Sequence, residues 1–180
     1  MGPRLRQLAL TAHVTASVGW LGAVASFLAL ALSGLNGRDP QAVRSAYLAM
    51  ELTGWAVIVP LSAASLLTGL VQSLGTPWGL FRHYWVVVKL LLTVAGTALL
   101  LVHMRPVSYV AAVAARTTLS GADLRGLRVQ LVADAAAALV VLLAATALSV
   151  FKPRGMTRYG QRRRDEARRG PHLQTRPATV

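Results

Sequence analysis

Cysteine is absent from the 180 residues, and only six acidic residues stand against nineteen Lys and Arg. Without a thiol there is no disulfide, no iron–sulfur cluster, no thiolate zinc site and no cysteine nucleophile. Charge of either sign is scarce. It amounts to 14% of the chain, where an ordinary soluble domain carries about 25%. What fills the space is apolar: 54% of residues are hydrophobic and the mean hydropathy is +0.52. A chain of this length builds one domain. That domain would carry large oily patches in water, which argues against a soluble enzyme, and the same composition excludes disorder of the chain as a whole.

A net charge of +13 suggests a nucleic-acid binder until the charges are located. Nine basic residues (Lys152, Arg154, Arg158, Arg162, Arg163, Arg164, Arg168, Arg169, Arg176) and two acidic ones (Asp165, Glu166) lie between Lys152 and Val180, so this tail supplies +7 of the total. The segment 152–180 is punctuated by Gly and Pro and lacks apolar periodicity. It reads as a basic disordered tail that touches anionic lipid headgroups, each basic residue near the surface contributing about 1 kcal/mol. No nucleic-acid partner is expected.

The rest of the chain is four apolar runs, 8–34, 48–74, 84–104 and 127–151. Each reaches the roughly 20 residues that cross a bilayer as a helix, and lipid tolerates only backbone whose hydrogen bonds are internal. The expected fold is therefore all-α, an integral membrane four-helix bundle. Asn36-Gly37-Arg38-Asp39-Pro40 breaks the first run from the second, and Gly75-Thr76-Pro77-Trp78-Gly79 the second from the third. Trp78, Phe81, Tyr84 and Trp85 are placed as an interfacial aromatic belt. The third connection, Arg105 to Gly126, is longer; its Val107–Ala115 stretch is expected to lie along the interface as a short helix, and Ser120–Asp123 to form a loop.

Orientation follows from Lys and Arg in the flanks. Twelve lie on the side of the two termini and six on the other, which places both termini in the cytoplasm and the protein in the plasma (inner) membrane as a multi-pass chain. The tail decides the sign. The first run also has the basic flank and the small-residue triplet Ala29-Leu30-Ala31 of a signal peptide, but it is much longer than the 7–15 residues usual for an h-region, so it is read as a span.

An ionisable residue deep in a spanning helix costs about 2.5–3.5 kcal/mol, and persists where it is paired, faces a cavity or works. His13, Glu51, Lys89, His103 and Asp134 are such residues. At about 1.5 Å of rise per residue, His13 and Lys89 each sit roughly 8 Å in from the terminal side. Glu51, His103 and Asp134, with Arg105 and Arg128 nearby, form a second layer toward the opposite side. His13 and His103 are about 20 Å apart along the membrane normal and so cannot ligate one iron together. Helical spacing aligns His13, Ser17, Trp20 and Val24 on one stripe, and Lys89, Thr93, Gly96 and His103 on another. It also aligns Glu51, Gly54, Ile58, Ser62, Ser65, Gly69 and Gln72 on the second span, and Gln130, Asp134, Ala138 and Ala145 on the fourth. Small and polar stripes let helices approach closely, so all four are expected to face inward. Pro60 should free the carbonyl of Ala56 and kink the second span.

Each layer admits two readings. The far layer is either a structural ion-pair cluster of Glu51 and Asp134 with Arg105 or Arg128, or a metal or proton site of Glu51, His103 and Asp134. Lys89 either snorkels to the interface or works, and His13 is either a hydrogen-bonded core histidine or a ligand or proton carrier.

The segments His13-Val-Thr-Ala-Ser-Val-Gly-Trp20-Leu-Gly22 and Trp85-Val-Val-Val-Lys89-Leu90 resemble a superfamily of small bacterial membrane proteins. It includes the HemJ-type protoporphyrinogen oxidase, the CopD-type copper-resistance membrane domain and an uncharacterised four-helix family, which this chain resembles most in length and helix count. The resemblance covers the four spans and not the tail. It implies haem b bound in the bundle through His13, with Lys89 pairing a propionate or relaying a proton and Trp20 beside the cofactor. The chain departs from the oxidase pattern in having Phe27-Leu28-Ala29-Leu30 where a Pro-Arg pair stands, and Trp85 where a basic residue precedes the Lys. The alternative is a non-enzymatic assembly partner or small transporter subunit, associating with a second copy or another membrane protein through its small-residue stripes.

Overall fold

The fold is that of a computed structural model, which describes residues 2–75, 84–117, 119, 124–151, 157 and 161–162. The expected Trp78 and Phe81 belt positions, Arg82, the Ser120–Asp123 loop and nearly all of the basic tail lie outside the described residues.

Four helical rods are long and apolar enough to cross a membrane, and they pack as one all-α bundle. The first is α1, Pro3–Asn36. The second has three parts: α2, Pro40–Thr53, a π-helical turn, Gly54–Ile58, and α3, Val59–Gly75. The third is α4, Tyr84–Arg116, and the fourth is α5, Arg125–Phe151. Both α1 and α4 lie against the second rod and against α5, so α1 and α4 face each other across the interior. The end that holds the start of α1 and the end of α5 is called the near end below, and the opposite end the far end.

Two rods run further than the apolar runs suggest. The second begins at Pro40, eight residues before Leu48. Asp39 and Pro40, read from sequence as a break, are its start signal: the Asp39 carboxylate accepts the backbone N–H of Gln41 at 3.1 Å and of Ala42 at 3.2 Å, and Pro40 occupies the first turn, where no N–H is needed. The third rod does not end at Met104. It continues through Pro106 to Arg116, so the separate interfacial helix expected over Val107–Ala115 is the last third of α4. Pro106 removes one backbone bond and would normally kink or end a helix. Packing outweighs that loss, because the two extensions cover each other. Val43, Tyr47, Met50, Met104, Val107, Val110 and Ala114 belong to one buried cluster, and van der Waals packing of these side chains holds the two rods together.

Pro60 is accommodated by rewinding. The turn ahead of it opens to a π-helix, with the Val59 N–H bonding to the Gly54 carbonyl five residues back; such local adjustments are how spanning helices absorb proline. The turn brings Gly54 against α4, where a Cβ would stand 2.6 Å from the Met104 methyl.

The fourth rod presents a different face from the expected one. Arg128, Leu131, Ala135 and Ala145 are buried, while Gln130 and Ala138 are exposed and Asp134 sits at the margin. Bulk decides this: Leu131 fills the cluster that a Gln130 face would leave empty.

Packing is uneven along the bundle. The apolar cluster runs from Trp20 to Ala31 on α1, from Val43 to Ile58 on the second rod, from Met104 to Ala114 on α4 and through Leu131 and Ala135 on α5. These positions are all in the middle and the far half. Toward the near end the described buried residues reduce to Ala16, Ser62, Ser65 and Ala145.

Candidate functional site

Near the near end, His13 and Lys89 meet. Lys89 Nζ lies 3.3 Å from His13 Nε2, and because α1 and α4 are not adjacent in the ring, this contact crosses the bundle interior. His13 Nδ1 lies 3.1 Å from the Ser65 carbonyl oxygen and 3.1 Å from Thr68 Oγ1. Thr68 spends its one hydroxyl hydrogen on the Ala64 carbonyl at 2.6 Å, so toward His13 it can only accept. Nδ1 therefore faces two acceptors and must carry the ring hydrogen. That leaves the lone pair of a neutral imidazole on Nε2, aimed at the Lys89 ammonium, which donates to it.

The surroundings hold the imidazole still. A Cβ at Gly69 would stand 3.0 Å from His13 Cε1, so the absence of a side chain there admits the ring against α3. Ser17 and Ser65 share a hydroxyl hydrogen bond at 2.8 Å, and Gln72 Nε2 donates to the Ala9 carbonyl at 2.8 Å, tying α1 to α3 on either side of the histidine. Thr93 donates to the Lys89 carbonyl one turn back in the same helix at 2.8 Å. Among the described residues the Lys89 ammonium has one polar partner, His13, and no carboxylate.

The second polar layer forms only in part. His103 Nε2 lies 2.9 Å from Asp134 Oδ2, and His103 Nδ1 lies 2.8 Å from the Leu99 carbonyl, to which it donates. Asp134 Oδ2 is buried and has no hydrogen-bond partner, so the two groups stand at ion-pair distance without a formed bond. Glu51 does not join the pair, and among the described residues no three His, Asp or Glu come together as a metal site. The expected ion-pair cluster is not formed either. Arg105 is exposed, and Arg128, 3% exposed, turns to α1 and α2. Its Nε donates to Tyr47 Oη at 2.9 Å, its Nη2 to the Gly34 and Leu35 carbonyls at the end of α1, and its guanidinium lies 5.6 Å from the Tyr47 ring centroid.

Trp20 is buried in the apolar cluster rather than facing either polar layer. An axial ligand of haem b is a neutral imidazole with one ring nitrogen anchored and a lone pair on the other. His13 has that form, with Nδ1 held by α3 and Lys89 Nζ standing 3.3 Å from Nε2.

Sequence reasoning placed His13 with Lys89 and missed three contributors. Thr68 lay off the inward stripe, Gly69 was read as packing and not as the rest for an imidazole, and Tyr47 fell one residue outside the second apolar run. The cap at Asp39-Pro40 was the signal that would have brought Tyr47 into the helix. No family model, curated protein or solved structure matches the chain.

Proposed function

We propose that the protein is a multi-pass membrane protein whose working centre is the His13–Lys89 pair, and that this centre handles a proton near the membrane surface where both termini emerge. The carrying observation is the 3.3 Å contact between Lys89 Nζ and His13 Nε2 with Nδ1 already committed to α3. In that geometry one proton has two bases. It rests on the lysine as ammonium, or it moves to Nε2 and leaves a neutral amine beside an imidazolium whose second N–H is already anchored. Twelve Lys and Arg on the terminal side against six on the other support cytoplasmic termini in a plasma membrane. Membership of the superfamily that the two short segments resemble remains part of the proposal, and so does a haem b held through the Nε2 lone pair of His13.

Histidine ¹⁵N NMR of the detergent-purified protein tests the reading, with His13 assigned by its loss in His13→Gln. The expected spectrum is a neutral imidazole with the hydrogen on Nδ1, whose Nε2 signal moves in Lys89→Met. A hydrogen on Nε2, or a signal indifferent to Lys89→Met, overturns it. A doubly substituted His13→Ala, Lys89→Met protein that folds and fully restores a deletion strain would give the role to the scaffold instead.

A further inference from the structure

An ammonium has three N–H donors, and among the described residues Lys89 uses one, on His13. The neighbouring threonine hydroxyls supply no complement for an anion. Thr68 and Thr93 donate to backbone carbonyls, and Ser17 and Ser65 use one of their two hydroxyl hydrogens on each other. Lys89 is thus the sole described cation of this layer, with two donors to spare, in a membrane interior where an unpaired charge is costly.

Gly96, two turns further along α4 and about 10 Å from Lys89 by helical rise, would place a Cβ with nothing within 4 Å, so α4 is uncovered there. None of the residues in the most apolar 18-residue stretch of α4 is buried, so the layer is open sideways to lipid. The far half, in contrast, is closed by the apolar cluster.

We propose that the near half of the bundle binds the oxyanion headgroup of an anionic membrane lipid, phosphate or carboxylate, which approaches along α4 and takes the two remaining Lys89 donors. This rests on the preceding reading of His13–Lys89 as the working centre and names what the centre holds. Three features favour a lipid over a soluble ion. Lys89 lies five residues from the start of the third apolar run, roughly 8 Å by helical rise, a depth that a headgroup reaches while its chains stay in hydrocarbon. The opening faces sideways. Arg4 and Arg6 precede His13 on the exposed start of α1, which draws anionic lipid to this end.

Native mass spectrometry of the full chain in detergent tests the proposal with three probes: phosphatidylglycerol, phosphatidylcholine and inorganic phosphate. About 0.5 M salt shortens screening to roughly 4 Å and removes exposed contacts of the basic tail. One phosphatidylglycerol should stay bound, phosphatidylcholine should not, and inorganic phosphate should not displace it. Loss of a charge-assisted contact should weaken binding about tenfold in Lys89→Met and in Lys89→Gln, while Lys89→Arg retains it. Helical circular dichroism shows which variants are folded. Equal retention of the two lipids, unchanged binding in both neutral variants, or displacement by inorganic phosphate overturns the proposal. The His13 spectrum, recorded on the same lipid-free protein, separates the two readings. An intact Nδ1–H signal without lipid selectivity removes this inference alone.

Discussion

Replacing Arg128 by Met should loosen the far end of the bundle by an amount the contacts allow to be worked out. Arg128 is 3% exposed. It holds Tyr47 Oη at 2.9 Å and two carbonyls at the C-terminal end of α1, a position where backbone acceptors have no partner within the helix and a cation is favoured. Methionine keeps much of the apolar stem but leaves the Tyr47 hydroxyl and both carbonyls without a donor. Hydrogen bonds to charged groups contribute about 1.5–3 kcal/mol each in soluble proteins, and cross-helix bonds in membranes average about 0.6 kcal/mol with maxima near 1.7. Two good bonds and one long one therefore come to about 3 kcal/mol. For a chain of this size that is a drop of about 6–12 °C in Tm, read by circular dichroism in detergent. Tyr47→Phe removes one bond and should cost about 1 kcal/mol, and the double variant should fall short of the sum because the two side chains share that bond. A Tm for Arg128→Met within about 2 °C of the parent, below the shift expected for 1 kcal/mol, would refute the assignment of Arg128 as the lock between α5, α1 and α2.

Gly54→Ala should destabilise by about 1–3 kcal/mol through overpacking, since the new methyl would stand 2.6 Å from Met104 Cε, and Met104 is only 1% exposed; thermal melts of Gly54→Ala with Met104→Ala should show less than the summed loss. Gly69→Ala places a Cβ 3.0 Å from His13 Cε1 and should push the imidazole off Lys89, seen as a shifted Nε2 resonance in a protein of parental helix content. Asp134→Asn removes the carboxylate facing His103 and should lower stability by about 1 kcal/mol, with the His103 ¹⁵N signals moving and the His13 signal unmoved. Trp20→Ala should cost about 3–5 kcal/mol as a core truncation, measured as Tm, while the His13–Lys89 contact persists.

The number of rods, their apolar character and the shared depth of His13 and Lys89 were legible in the chain, because each depends on local quantities: run length against bilayer thickness, and a fixed rise per residue. The inward stripe of α1 held for the same reason. Trp20 and Val24 are buried, and His13 and Ser17 half-buried, since helical phase follows from spacing alone. Where competing signals met, sequence could not choose. Asp39-Pro40 is equally a break and a helix start, and the start won only because Val43 and Tyr47 found cover on the extension of α4. Pro106 reads as a stop and is passed through for the same reason.

Tertiary structure alone decided how side chains were paired. Arg128 stood within reach of two carboxylates by depth, yet carbonyl ends and a tyrosine hydroxyl hold it, because the angular position of α5 turns it toward α1 and α2. Glu51 falls in the same polar layer as Asp134 by residue count and stays apart from the His103 pair. Depth is one coordinate and follows from counting residues, whereas partnership needs all three and is set by which rods are neighbours. For the same reason sequence alone could place a histidine and a lysine at one level, but only the packed bundle joins them across its diagonal and assigns the imidazole hydrogen to Nδ1.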